Sequence, residues 1–230
     1  MSRILSLSSE QYLGLDGSLL IDCQQSHKLL PLVADAFDAM CQAAQQHNID
    51  ISIASSYRDF QRQLLIWNEK WNGQRPLLDI NSQVVDATTL TDEQKLTTIL
   101  TWSALPGSSR HHWGTDFDVY DAKGVQQSGQ ALQLVTAEYT EGGPCFELAK
   151  WLTLQAATFG FYRPYLNFNG GVASEPWHIS FEEQATHIIS QFDLDALANL
   201  LRATDIAGKD IILNSLDEIF TRYVLNGQPR

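Results

Sequence analysis

The sequence SRHHWGTDFD occupies residues Ser109–Asp118, and the short sequence EPWH follows later in the chain at Glu175–His178. Together they contain histidines, several carboxylates and a glutamate placed three residues before a histidine. Catalytic zinc sites use three nitrogen or oxygen ligands from the protein and leave a coordination position open, whereas structural sites are more often closed and rich in cysteine. The two segments therefore predict a zinc site of the catalytic kind.

The segment Thr115–Tyr120 has the alternation of a β-strand, in which successive side chains point to opposite faces. Phe117 would then face the core, while Asp116 and Asp118 would share the opposite face. Asp118 can bind a metal from this strand, and His111 can reach the same ion from the preceding loop.

The spacing between Glu175 and His178 can bring a base and a ligand to one ion. Pro176 disfavours an ordinary helix interior between them. We therefore expect a twisted or bulged strand at this position.

The rest of the chain alternates helical and extended patterns without a regular strand–helix–strand repeat. Periodicity and capping residues predict helices over 32–47, 59–71, 91–102, 146–159, 182–203 and 211–224, and a strand over 51–55. The predicted fold class is α+β: a small antiparallel sheet carries the zinc site between flanking helices, with a helical C-terminal extension. We expect one metallopeptidase domain over 1–230, with a core at about 27–182 and C-terminal helices at about 183–225.

The charge of the chain excludes broad classes of partner. The 230 residues carry a formal net charge of −12, with no basic run. Nucleic-acid binding depends on Lys and Arg that neutralise phosphates, so nucleic acid is not an expected partner. No apolar run approaches the roughly 20 residues needed to span a bilayer.

The N-terminal segment and the cysteines bear on the compartment. Residues 1–10 have no sustained apolar core or small-residue cleavage site, so no secretory signal is predicted. The three widely spaced cysteines, Cys23, Cys41 and Cys145, fit reduced thiols better than a disulfide framework. A cytoplasmic location is therefore expected, while a periplasmic or exported location stays open.

Three motifs in this order carry a family resemblance. They are Ser-Ser-Tyr-Arg-Asp-Phe-Gln-Arg-Gln at Ser55–Gln63, Ser-x-His-x-x-Gly-x-x-x-Asp at Ser109–Asp118, and Glu-x-Trp-His at Glu175–His178. Together they resemble the D-alanyl-D-alanine metallopeptidases of the VanY and VanX type, which share a zinc-site architecture with lysostaphin-type peptidases and the hedgehog signalling domain. The three motifs span residues 55–178.

The resemblance implies a role for each matching residue. It implies one zinc ion as the cofactor, bound by His111, Asp118 and His178. It makes Glu175 the catalytic base and Arg58 the residue that meets negative charge on the substrate and the transition state. The positions expected to help hold the C-terminal end of the substrate are Ser109 and Gln63.

Two residues depart from the family pattern. Asp116 stands where the family most often has a small residue, and Asp59 replaces the usual serine after Arg58. On the ligand face of the predicted strand, Asp116 could tune the metal or shift substrate preference. His112 is not an expected ligand, because adjacent side chains cannot easily reach one ion together.

The function implied by the resemblance is that of a D-alanyl-D-alanine carboxypeptidase or dipeptidase. It would hydrolyse the C-terminal D-Ala bond of cell-wall-derived peptides with water activated at zinc, and its partner would be a peptide with a free C-terminal carboxylate. Two alternatives stay open: a peptidoglycan endopeptidase or recycling peptidase of the same fold, and a non-catalytic, zinc-stabilised binding module. The intact Glu175 and Arg58 argue against the binding module, because a structural zinc needs neither.

Overall fold

A computed structural model describes residues 4–227. Residues 1–3, which belong to the segment assessed for a signal, and residues 228–230 lie outside the described residues. The strands in chain order are β1 Ile21–Cys23, β2 His27–Leu29, β3 Ile51–Ser55, β4 Leu77–Leu78, β5 Val84–Val85, β6 Asp116–Asp121, β7 Phe161–Tyr162 and β8 His178–Phe181.

Helices surround these strands. The α-helices are α1 Ser9–Tyr12, α2 Pro31–Gln45, α3 Phe60–Trp71, α4 Asp92–Trp102, α5 Ala122–Ser128, α6 Phe146–Gln155, α7 Glu182–Gln191, α8 Leu194–Ala203, α9 Lys209–Asn214 and α10 Leu216–Ile219. Short 3-10 turns occupy Ala87–Thr89, Arg110–His112, Thr136–Tyr139 and Ala156–Phe159, and a π-helical turn at Phe220–Leu225 continues α10. Within residues 4–227, no helix combines the length and the apolar character needed to cross a membrane.

The central sheet has four antiparallel strands in the order β3-β6-β8-β7. One face of β6 and β8 packs into the hydrophobic core. On that face, the ring of Phe117 makes edge-on contacts with Phe37 of α2 and Phe161 of β7, at centroid distances of 4.9 and 5.7 Å. The other face carries polar side chains, so the alternation in β6 separates core from polar residues although both sides are buried. The predicted α+β class with a small antiparallel sheet is confirmed.

The sequence pattern predicted the positions of several secondary-structure elements closely. Strand β3 coincides with the predicted 51–55 segment, and α3 begins after Asp59, whose side chain accepts a hydrogen bond from the backbone N–H of Arg62. Asp59 therefore supplies the helix cap that a serine would otherwise supply.

Three predictions of secondary structure were wrong. The helix predicted over 211–224 is divided into α9, α10 and the π-helical turn, because the backbone leaves the helical conformation at Ser215. The helix predicted over 182–203 is two helices, because the chain turns at Phe192 and Asp193 caps α8 through the backbone N–H groups of Asp195 and Ala196. The predicted strand at Glu175 is a turn, in which the N–H of His178 donates to the Glu175 carbonyl. Strand β8 begins only at His178.

Gly114 links the 3-10 turn that carries His111 to strand β6. Its φ is +68°, and its carbonyl accepts a hydrogen bond from the N–H of Leu30 at 3.0 Å. A β-carbon at Gly114 would collide with the side chain of Leu20 and lie 3.2 Å from the Leu30 nitrogen. Glycine is therefore required here by both the left-handed backbone and the close approach of the chain.

We predict that Gly114→Ala destabilises the protein by about 1–3 kcal/mol, because it adds a collision to the cost of a left-handed non-glycine residue. Gly129→Ala is the matched control: its φ is +66°, but nothing lies within 4 Å of the added carbon. Chemical denaturation of both variants measures the difference. Equal losses would contradict the steric part of the explanation.

Candidate metal centre

The pairing of β6 with β8 brings the predicted site residues into one row. Asp118 lies directly opposite His178, and Asp116 lies opposite Ser180. Directly opposed residues of antiparallel strands project to the same face with their β-carbons about 4.5–5.5 Å apart. Both carboxylates and the imidazole therefore share the polar face of the sheet.

His111 reaches this row from the 3-10 turn Arg110–His112. Its Nδ1 lies 3.0 Å from the carbonyl oxygen of Ser56, to which it can donate, and this leaves Nε2 directed at Asp118, 3.6 Å from Oδ2. The backbone N–H of Arg58 donates to the carbonyl of His111. The residues that follow β3 thus fix the position and the tautomer of His111.

The side chains of His111, Asp118 and His178 form a candidate metal site. One potential ligand atom from each lies within 4.8 Å of the others. Burial alone would lower the pKa of His178, but hydrogen bonding to Asp116 and Asp118 raises it to about 9. In His111 burial prevails and lowers the pKa to about 4. Two imidazoles and one carboxylate, all mostly buried, are a donor set that fits zinc.

Asp116 lies on the far side of His178 from the candidate metal position. Its Oδ1 is 3.1 Å from Nε2 of His178, while Nδ1 of His178 is 3.1 Å from Oδ1 of Asp118. Arg110 donates from Nε to Asp116 at 2.7 Å and from Nη2 to Ser180 at 2.9 Å. The Asp116 side chain is fully buried, and this network keeps its pKa below the ordinary value although burial alone would raise it. Asp116, which departs from the family pattern, therefore forms a buried ion pair with Arg110 behind the imidazole of His178.

Glu175 lies at the edge of the row, on the side of His178 that faces Asp118. Its carboxylate is 4.0 Å from Nδ1 of His178, and its side chain is 15% exposed. Burial raises the pKa of Glu175 to about 8, against the opposing effect of His178. The backbone N–H of Glu175 donates to the carbonyl of Tyr165 at 2.7 Å, which anchors the turn.

Arg58 lies across the site and is held by its own motif. Its Nη1 donates to Oε1 of Gln63 at 2.8 Å, and its Nη2 donates to Oγ of Ser55 at 3.3 Å. Burial lowers the pKa of Arg58, against the opposing effects of Asp118 and Glu175. The amide of Gln63 also donates to the carbonyl of Ala104 at 2.6 Å, so its contacts are with the protein.

A cavity of about 310 Å³ opens over these residues. Its lining includes Arg58, Ser109, Glu175 and the three residues of the candidate metal site. The Ser109 side chain is nearly fully buried, and its hydroxyl has no hydrogen-bond partner among residues 4–227.

Sequence reasoning missed several residues that line this cavity. Lys70 of α3 lies in its wall, seven residues after Gln63 and hence on the same helix face, a spacing that could have identified it. Ile219, Tyr223 and Val224 complete the wall from the C-terminal segment, whose role the sequence left undecided. Their helical pattern alone gives no signal of this position.

His112 lies outside the ligand group. Its ring bridges two loops, because its Nδ1 hydrogen-bonds with the carbonyl of Arg58 and its Nε2 accepts from the N–H of Gly107 at 3.1 Å. The ring is buried, and burial lowers its pKa to about 4. His112 thus connects the Arg58 segment to the loop before the 3-10 turn.

Comparisons with known proteins agree with this architecture. An uncharacterised protein of Haemophilus influenzae is 37% identical over 123 residues, which are 53% of this chain and 93% of the relative. A structure of VanYB in complex with D-alanine-D-alanine matches with a TM-score of 0.52 and 22% identity, covering 75% of this chain and 82% of that one. A VanY mutant structure in complex with Zn(II) matches with a TM-score of 0.50 and 19% identity, covering 84% and 88%.

The donor set of the His111, Asp118 and His178 cluster supports one zinc ion as the cofactor. Residues 26–184 match the family described as VanY, D-alanyl-D-alanine carboxypeptidase. This range contains all three motifs and more than half of the chain. The chain therefore belongs to the VanY family of D-alanyl-D-alanine carboxypeptidases.

Proposed function

We propose that the protein is a zinc-dependent carboxypeptidase that removes the C-terminal D-Ala residue from cell-wall-derived peptides. The observation that carries this proposal is the convergence of His111, Asp118 and His178 in a cavity that Glu175 and Arg58 also line. Membership of the VanY family and the fold of the VanYB complex with D-alanine-D-alanine support the choice of substrate.

In this proposal, Nε2 of His111, Nδ1 of His178 and a carboxylate oxygen of Asp118 hold the zinc ion. A bound zinc ion supplies a Lewis acid that polarises a carbonyl and lowers the pKa of water to about 7. Asp116 accepts a hydrogen bond from the Nε2–H group of His178, and this tautomer would leave the Nδ1 lone pair free to bind the ion. A carboxylate behind a ligating histidine orients the ring and increases its basicity.

Glu175 acts as the general base. It accepts a proton from the attacking water as the new bond to the peptide carbonyl carbon forms, and it delivers that proton to the leaving amine as the carbon–nitrogen bond breaks. Its position beside His178 suits this transfer. The elevated pKa of the buried carboxyl places it near neutral pH, where one group can both take and return a proton.

Arg58 stabilises the negative charge that develops on the carbonyl oxygen. A preorganised guanidinium in a water-poor cavity needs little rearrangement when that charge appears. Gln63 positions Arg58 through the hydrogen bond to Nη1, and Ser109 offers its free hydroxyl to the C-terminal end of the substrate. The single-domain organisation and the cytoplasmic location stay predictions.

Asp116→Asn is expected to weaken zinc affinity by about 10- to 100-fold, because the imidazole of His178 loses the charged partner that orients it. Competition with a chromogenic chelator measures the affinity. Asp121→Asn is the matched control, since Asp121 is a buried aspartate at the other end of β6 and lies outside the cavity wall. Unchanged zinc affinity in a folded Asp116→Asn protein would contradict the proposal that Asp116 orients the imidazole of His178.

Glu175→Ala is expected to keep zinc and lose about 10²- to 10⁴-fold in kcat, the range of general acid–base catalysis. His178→Ala should lose the metal itself. Metal content by mass spectrometry and peptide hydrolysis separate these outcomes, with the exposed Glu141→Ala as control. Full peptidase activity in Glu175→Ala would overturn the assignment of the base.

A peptide ending in D-Ala-D-Ala should be cleaved with a kcat/KM at least about 10-fold higher as the free acid than as the C-terminal amide, because a charge-assisted hydrogen bond to the carboxylate is lost in the amide. Chromatographic assay of released D-Ala or D-Ala amide measures the ratio. Equal cleavage would favour an endopeptidase, and zinc binding without cleavage would favour a binding module.

A further inference from the structure

Lys70 is a cation of the cavity wall that the proposed mechanism does not use. It lies near the end of α3, two turns beyond Gln63 on the same helix face. Its side chain lines the cavity together with Arg58, Ser109 and Glu175. The residue is half-buried, so its long side chain is partly shielded from solvent.

The ammonium group of Lys70 has no partner among the residues that the structure describes. Among residues 4–227 it takes part in no hydrogen bond and no ion pair, and burial lowers its pKa to about 8. The other two cations of the wall are engaged: Arg58 with Gln63 and Arg110 with Asp116. Desolvating a charge without a partner is costly, so an unpaired ammonium in this position indicates an anionic ligand.

The charges with the most influence on Lys70 belong to the same cavity. After burial, the largest influences on its pKa are Glu175, which favours the charged form, and Arg58, which disfavours it. Lys70 therefore lies close enough to Arg58 and Glu175, in the wall of the same cavity, to feel both charges.

A second donor without a partner belongs to a residue that lines the same cavity. The buried hydroxyl of Ser109 has no partner among the described residues. A carboxylate has two oxygens and can accept from both an ammonium and a hydroxyl. A peptide whose scissile carbonyl lies at the metal extends its terminal residue into the rest of the cavity, and Lys70 lies in the wall of that cavity.

We propose that Lys70 binds the free C-terminal carboxylate of the peptide substrate and makes the enzyme selective for peptides that end in one. This inference rests on the proposed carboxypeptidase function. In this arrangement Arg58 interacts with the carbonyl oxygen of the scissile bond, and Lys70 interacts with the terminal carboxylate.

The test compares Lys70→Met with wild type on one D-Ala-D-Ala peptide, as the free acid and as the C-terminal amide. Loss of a charge-assisted hydrogen bond is expected to reduce kcat/KM for the free acid by about 10- to 100-fold, mostly through KM. The amide should be cleaved as slowly by the variant as by wild type. Lys70→Arg, which keeps the charge, should recover part of the loss.

Lys150→Met is the matched control, because Lys150 pairs with Glu147 on the exposed face of α6 and lies outside the cavity wall. It should leave both substrates unaffected. An equal reduction for the free acid and the amide in Lys70→Met, with thermal unfolding unchanged, would overturn the proposal. A third peptide, with an amidated terminus and a side-chain carboxylate, tests whether Lys70 binds a side-chain carboxylate instead of the terminal one. A reduction in kcat/KM that Lys70→Met causes for this peptide alone would also overturn the proposal.

Binding provides a readout that does not need turnover. In zinc-loaded Glu175→Ala, calorimetric titration with the free-acid peptide should show about 10- to 100-fold weaker binding when Lys70→Met is added. If wild type cleaves neither peptide, the proposed function fails, while this titration still tests Lys70. Equal affinity of the Glu175→Ala protein with and without Lys70→Met would overturn the role of Lys70, whatever the enzyme cleaves.

Discussion

The register between β6 and β8 is the constraint on which the candidate site depends. Because Asp118 lies opposite His178, both side chains share the polar face, with Asp116 diagonal to the imidazole. A slip of one residue would turn His178 towards the core and its neighbours Ile179 and Phe181 away from it. The fully buried apolar residues on the other face therefore stabilise the same register that assembles the site.

The electrostatic balance of the site follows from that register. Two buried carboxylates, Asp116 and Asp118, are brought within hydrogen-bond distance of one imidazole, and Asp116 is compensated by Arg110. Within residues 4–227, Asp118 forms no ion pair with an Arg or Lys and instead faces His111 and His178. One carboxylate is thus neutralised inside the protein, and the other is left to neutralise an ion. This asymmetry explains how two aspartates on one strand face can have different roles.

The sequence was most informative where a local rule fixes the outcome. Strand β3, helix α3 and the Thr91-capped α4 follow from periodicity and capping within a residue or two. The motif residues were also identifiable in advance, because their types and order match a family. The break before α8 was missed although Asp193 is a good N-cap, because a continuous apolar pattern outweighed the capping signal. The position of Lys70 could have been inferred from its spacing to Gln63 on α3, whereas that of Tyr223 comes from packing between distant elements, which no local pattern encodes.

The division of the cavity wall between two parts of the chain limits what family membership implies about specificity. The family match covers residues 26–184 and contains the ligand cluster, Glu175 and Arg58. Part of the apolar wall, including Ile219, Tyr223 and Val224, comes from outside that match. Reaction chemistry depends on the shared groups, whereas the size and shape of a ligand depend on the whole wall. A chain that builds its cavity partly from its own C-terminal helices can therefore keep the chemistry of its family while accepting a different peptide.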